Sequence, residues 1–79
     1  MNSKTKKAEF RADLLEVVGA QVRRLRKEAA TSQQDLAGQC DIFRTYLSRI
    51  ENGTANPTVT VVAALASALK VPVTELFQE

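Results

Sequence analysis

The chain has 79 residues, 44% of them apolar and 25% charged, with a formal net charge of +2; folding at this length buries roughly 63% of the unfolded chain's surface, enough for one domain around one small core. With no histidine and a single cysteine, a disulfide framework, a zinc knuckle and a histidine-based triad are excluded, and a short helical chain rarely encloses the ~300 Å³ cleft that carboxylate catalysis needs. No enzyme activity, metal or cofactor is therefore expected. Nor is a membrane partner: the longest apolar run, residues 61–66, falls far short of the ~18 residues of a span, the polar start has no leader-like apolar stretch, and a lone thiol fits a reducing, cytoplasmic setting.

Residues 1–30 hold eight basic side chains (Lys4, Lys6, Lys7, Arg11, Arg23, Arg24, Arg26, Lys27) against four acidic ones (Glu9, Asp13, Glu16, Glu28). The rest is slightly acidic, so the positive charge is concentrated in the first third. Such a distribution suits a polyanion partner and equally suits a solvated helix face with a lysine tail. Residues 1–9 read as a basic flexible tail, leaving residues 10–79 as the single domain.

In chain order, Phe10, Leu14, Val18, Val22, Leu25 and Ala29 recur at helical spacing and predict an amphipathic first helix ending near Ala30, with Gly19 a point where it could break. Ser32 can cap a second helix from Gln33 to about Gln39, with Asp35 reciprocating three positions on. Asp41 then marks a tight turn. A third helix follows from Arg44 to Glu51, stopped at Asn52-Gly53 because glycine enters the left-handed conformation without steric cost. Thr58 caps a fourth helix rich in strong helix formers through Leu69, and Pro72 suits the first turn of a short fifth helix reaching Phe77. Cys40, among apolar neighbours, reads as a core residue.

Helices as short as the second and third are stable only when packed together. Leu36, Ile42, Leu47 and Ile50 supply the contacts, and Ala37 is small enough to let two helices cross. With Leu47 and Ile50 inward, the opposite face of the third helix carries Arg44, Thr45, Ser48, Arg49 and Asn52, one stripe at the helical period. It holds no carboxylate. Guanidinium groups, hydroxyls and an amide are the groups that read base edges in a major groove, arginine being the best bidentate partner of guanine. The competing reading is a solvated face that happens to be basic; the cap, the turn spacing and Ala37 together favour the DNA reader. At the C-terminus, Leu76 is expected to close the bundle, while Val73 and Phe77 suit a self-complementary patch used twice in a symmetric dimer.

The segments Ser32-Gln33-Gln34-Asp35-Leu36-Ala37, Arg44-Thr45-Tyr46-Leu47-Ser48-Arg49-Ile50-Glu51-Asn52-Gly53, Asn56-Pro57-Thr58 and Ala64-Leu65-Ala66-Ser67-Ala68-Leu69 resemble the Cro/phage-repressor (Xre-type) helix-turn-helix family over about residues 19–77. Arg44-Thr45-Tyr46 is most like the opening of the third helix in controller proteins of restriction–modification systems. The resemblance implies an all-α, five-helix domain with its helix-turn-helix at residues 32–53. It implies a homodimer that binds a palindromic operator in double-stranded DNA and regulates transcription by blocking or recruiting RNA polymerase.

Carried over by position, the resemblance has Arg44, Thr45, Ser48 and Arg49 facing bases, Gln33 and Asn52 on the DNA backbone, and Tyr46 on the backbone or a thymine methyl, although packing would serve equally for Tyr46. It also makes Arg26 and Glu51 a structural ion pair. Three positions depart from the pattern. Phe43 stands where the family places a capping Ser, Thr or Asp, Asp41 where glycine is usual, and Thr54-Ala55 where the loop is often basic. Two rival readings are a helical interaction adaptor or coactivator working through Val73 and Phe77, and a DNA-binding antitoxin.

Overall fold

The structure is a computed structural model and describes the backbone of residues 3–79 and the side chains of residues 9–79; Met1 and Asn2 lie outside the described residues. Four α-helices, α1 (Ser3–Glu28), α2 (Gln33–Gln39), α3 (Arg44–Glu51) and α4 (Val59–Leu69), are followed by a short 3-10 helix (Val73–Phe77), and no strand occurs among the described residues. The chain is thus all-α, with a single tight 3-10 segment in place of a fifth α-helix. Pro72 precedes that segment as its N-cap, in extended conformation, and does not sit inside its first turn.

α1 starts at Ser3, so its backbone runs through most of the segment that reads in sequence as a tail; the side chains of Lys4, Lys6 and Lys7 lie outside the described ones. Gly19 does not break it. Only the middle of the expected apolar stripe is covered: Val18, Val22 and Leu25 are buried and Leu14 half-buried, whereas Phe10 is 71% exposed and Ala29 is also exposed. Residues 9–13 are all exposed, so α1 overhangs the bundle at its N-terminal end. At ~1.5 Å per residue the 26-residue helix is about 39 Å long.

The core gathers Val18, Val22 and Leu25 of α1, Leu36 and Ala37 of α2, Leu47 and Ile50 of α3, Ala55 of the following loop, Val62, Leu65 and Ala66 of α4, and Leu76 of the 3-10 helix. α1 lies against α3 and the 3-10 helix, α2 packs on α3, and α4 leans on the 3-10 helix, α1 and α2. Leu76 is fully buried and pins the C-terminal segment to the bundle.

The joints between helices are set by local chemistry. Thr58 Oγ1 accepts a hydrogen bond from the Val61 amide at 3.2 Å and so caps α4. Gly53 takes φ of 75° after α3. Three non-glycine residues also enter the left-handed region, Ala30 (φ 54°), Asp41 (φ 57°) and Lys70 (φ 62°), each at a helix junction. For alanine and lysine this conformation costs about 1 kcal/mol, a strain held by the packing on either side.

Candidate nucleic-acid interface

α2 begins with Ser32 in extended conformation, its Oγ accepting from the Asp35 amide at 3.0 Å. The reciprocal half of the capping box is not formed, since the Asp35 carboxylate makes no hydrogen bond to the Ser32 amide. At the far end the Ile42 amide reaches back to the Ala37 carbonyl at 3.0 Å, closing a turn that Asp41 makes possible through its positive φ. Ile42 packs against the core, and Phe43 points away from it at 83% exposure. Phe43 is the N-cap of α3 and offers no side-chain hydrogen bond.

α3 divides by face. Leu47, Ile50 and Glu51 are buried; Arg44, Thr45, Arg49 and Asn52 are exposed, and Ser48 and Tyr46 half-buried, with Tyr46 against the core. The structure therefore brings Arg44, Thr45, Arg49 and Asn52 onto one solvent-facing surface, with Ser48 set back from it. The one carboxylate in α3, Glu51, is 5% exposed and turned away from that surface. Arg49 makes only a long contact, Nη2 to the Thr54 carbonyl at 3.4 Å, while the Thr54 hydroxyl donates to the Arg49 carbonyl at 3.2 Å. The guanidinium retains most of its donors for another partner.

Behind this face lies a buried charge network. Arg26 donates from Nε to Glu51 Oε2 at 2.7 Å and from Nη2 to Oε1 at 3.0 Å, and its Nη1 reaches the Thr31 carbonyl at 2.9 Å. Gln33 Nε2 donates to Glu51 Oε1 at 3.0 Å. One carboxylate thus joins the end of α1, the start of α2 and the end of α3. The bond to Glu51 holds Arg26 protonated above its usual range, against the opposing effect of burial. No buried side-chain nitrogen or oxygen among the described residues lacks a partner, the condition under which a buried ion pair is tolerated. Gln33 is half-buried and its amide is committed to this network.

The crossing of α1 over α3 depends on Gly19. A Cβ there would meet the Ile50 carbonyl oxygen in hard contact and the Glu51 carbonyl oxygen at 2.8 Å. Sequence reading offers Gly19 only as a weak point in a helix, because the reason for the glycine lies 31 residues downstream.

At the other end of the molecule Val73 and Phe77 are 41% and 44% exposed. Phe77 shares an open groove with Phe10, Leu14, Val17 and Ala20 of α1. Gln21 hydrogen bonds the Gln78 carbonyl, and Arg24 lies 3.7 Å from Glu75, holding the C-terminal segment along α1. Cys40 is half-buried at the end of α2 against the core, and burial pushes its thiol pKa up.

Short helices in this order, with a second helix braced across a third whose outer face is basic, define a helix-turn-helix unit. A family profile described as a helix-turn-helix domain matches residues 17–77, and the chain belongs to that family, the DNA-binding regulators of transcription. It is 38% identical over 64 residues to an uncharacterised helix-turn-helix-type transcriptional regulator of Sinorhizobium fredii, spanning 81% of this chain and 83% of the relative. It is 37% identical over 62 residues to the control protein C.MunI of a Mycoplasma species, spanning 77% of this chain and 84% of that protein. Among solved structures it is similar to the restriction–modification controller protein C.AhdI of Aeromonas hydrophila, with a TM-score of 0.77 and 33% identity over 80% of this chain and 96% of that one.

Proposed function

We propose that the chain binds a palindromic operator in double-stranded DNA as a homodimer, laying α3 of each subunit in the major groove. The observation that carries this reading is the division of α3: Arg44, Thr45, Arg49 and Asn52 on the solvent side, and its carboxylate withdrawn into a neutralised network with Arg26 and Gln33. A surface carboxylate on α3 would repel phosphate and compete for the guanidinium groups; here none does. Arg44, Thr45 and Arg49 are assigned to base edges, with Ser48 at the margin. Asn52 and Tyr46 are assigned to the sugar–phosphate backbone, and so is Gln33 through the one amide N–H that it does not give to Glu51.

Val73 and Phe77 are assigned to the dimer contact, and the groove that Phe77 shares with Phe10 and Leu14 gives that contact room to extend. Two-fold symmetry then sets the recognition helices ~34 Å apart, so that half-sites fall one helical turn from each other. Regulation follows from occupancy, by blocking RNA polymerase or recruiting it, without a catalytic step; the cytoplasm, where such a polymerase works, is the assigned location. The likeness to controller proteins supports regulation of a restriction–modification operon.

Selection from a random duplex pool tests this. Recovery of a palindrome, with a log–log salt slope near −7 for about eight phosphates contacted per dimer, is expected. Recovery of no sequence would overturn the reading in favour of an adaptor acting through Val73 and Phe77.

A further inference from the structure

Phe43 is a bulky apolar side chain with 83% of its surface in water, directly ahead of Arg44. The position has an energetic history written in its geometry. Its backbone is extended (φ −73°, ψ 144°) and its carbonyl accepts from the Tyr46 and Leu47 amides at 3.0 and 3.1 Å, as an N-cap carbonyl should, but no side chain satisfies the amides of the first turn. Serine or aspartate here would supply that bond. Phenylalanine forgoes it and also exposes a ring that makes no core contact, so the residue works against the fold twice.

Its location offers the compensation. In a helix-turn-helix the N-terminal residues of the recognition helix enter the major groove deepest, and the apolar feature in that groove is the C5-methyl of thymine, which aromatic rings can contact. Ile42 is anchored in the core and Asp41 is fixed by its left-handed turn, so the ring is presented from a rigid base. The geometry points to Phe43 as a specificity-determining residue that packs on a thymine methyl next to the base pair read by Arg44. This inference rests on the DNA-binding reading above and goes beyond it by assigning a base to a residue outside the polar stripe.

The test uses the full chain and the palindrome recovered by selection. Each thymine in a half-site is replaced in turn by deoxyuridine, which keeps the pairing and removes only the methyl group. Burial of one methyl corresponds to about a fourfold change in affinity per half-site, or about fifteenfold when both half-sites are altered. The wild-type protein is expected to show that loss at one thymine, and Phe43→Ala to bind thymine and uracil operators equally. Phe43→Ser, which can form the missing cap, is expected to melt no lower than wild type while showing the same indifference to the methyl, which separates the effect from misfolding.

A recovered palindrome with no methyl-sensitive thymine, or a Phe43→Ala protein that keeps the full discrimination, overturns the assignment and leaves the DNA-binding reading standing. Failure to recover any sequence overturns both.

Discussion

Gly19→Ala tests the α1–α3 crossing most directly. In an open helix the exchange stabilises, because alanine exceeds glycine in helix propensity by about 1 kcal/mol. At position 19 the new methyl would lie 2.8 Å from the Glu51 carbonyl oxygen and 3.0 Å from its carbon, and closer still to the Ile50 oxygen. Ordinary contact begins at 3.4 Å, so α3 has to retreat by at least about 0.6 Å. That motion stretches the 2.7 Å bond between Arg26 and Glu51.

An extra methyl forced into a packed core costs about 1–3 kcal/mol. The obstacle here is helix backbone that cannot rotate aside, so the upper figure applies and the net loss is about 2 kcal/mol after the propensity gain. For a domain of this size that is a fall of about 8–16 °C in melting midpoint, readable by circular dichroism. Gly38 is the internal control: nothing lies within 4 Å of a Cβ built there, so Gly38→Ala should raise stability by up to about 1 kcal/mol. Opposite signs for one substitution at two helical glycines are expected. Equal gains at both would refute the close crossing.

Arg26→Ala should cost about 3–5 kcal/mol in urea denaturation because it strands Glu51 in the core, while Arg26→Met combined with Glu51→Leu should recover most of that loss. Ser32→Ala and Thr58→Ala each remove one cap bond, and each should lower stability by about 1 kcal/mol in the same assay. Burial raises the Cys40 pKa, so folding favours the neutral thiol. That contribution is complete below the unfolded-state pKa and is lost as pH rises through the folded one. Alkylation of the native protein should therefore lag behind that of the urea-unfolded chain in mildly alkaline buffer, and Cys40→Ala should flatten the alkaline decline in stability. Arg44→Ala should weaken operator binding by about 1–3 kcal/mol and relax preference at one base pair per half-site; a uniform loss on all sequences, measured by competition binding, would reassign Arg44 to phosphate.

What the sequence made legible was local. The boundaries of α2, α3 and α4 follow from Ser32, Asn52-Gly53 and Thr58, each of which acts on amides or carbonyls within a turn of itself. The outward stripe of α3 was readable for the same reason, since Leu47 and Ile50 fix which side faces in. The start of α1 was not readable: a lysine-rich segment has no apolar period, yet lysine and alanine carry good helix propensity and the helix continues back through them. Ala30 and Lys70 give no sign in their identities of a left-handed backbone, which the packing of flanking helices imposes. Phe10 and Ala29 kept the period of the stripe but lie at its two ends, where both are exposed. At the 3-10 segment, with Leu76 drawn into the core just four residues after Pro72, the turn is tightened before an α-helix can form.

The buried carboxylate of Glu51 has a consequence for how such a protein can change. Because the pose of α3 is clamped from behind by Arg26 and Gln33, the residues on its front carry almost no duty in holding the fold. Exchanges at exposed positions such as Arg44, Thr45 and Arg49 should cost within about 0.5 kcal/mol of folding stability. Under the proposed reading, the operator preference of this scaffold is then open to change one letter at a time, each intermediate remaining folded, while the clamp itself tolerates no partial exchange.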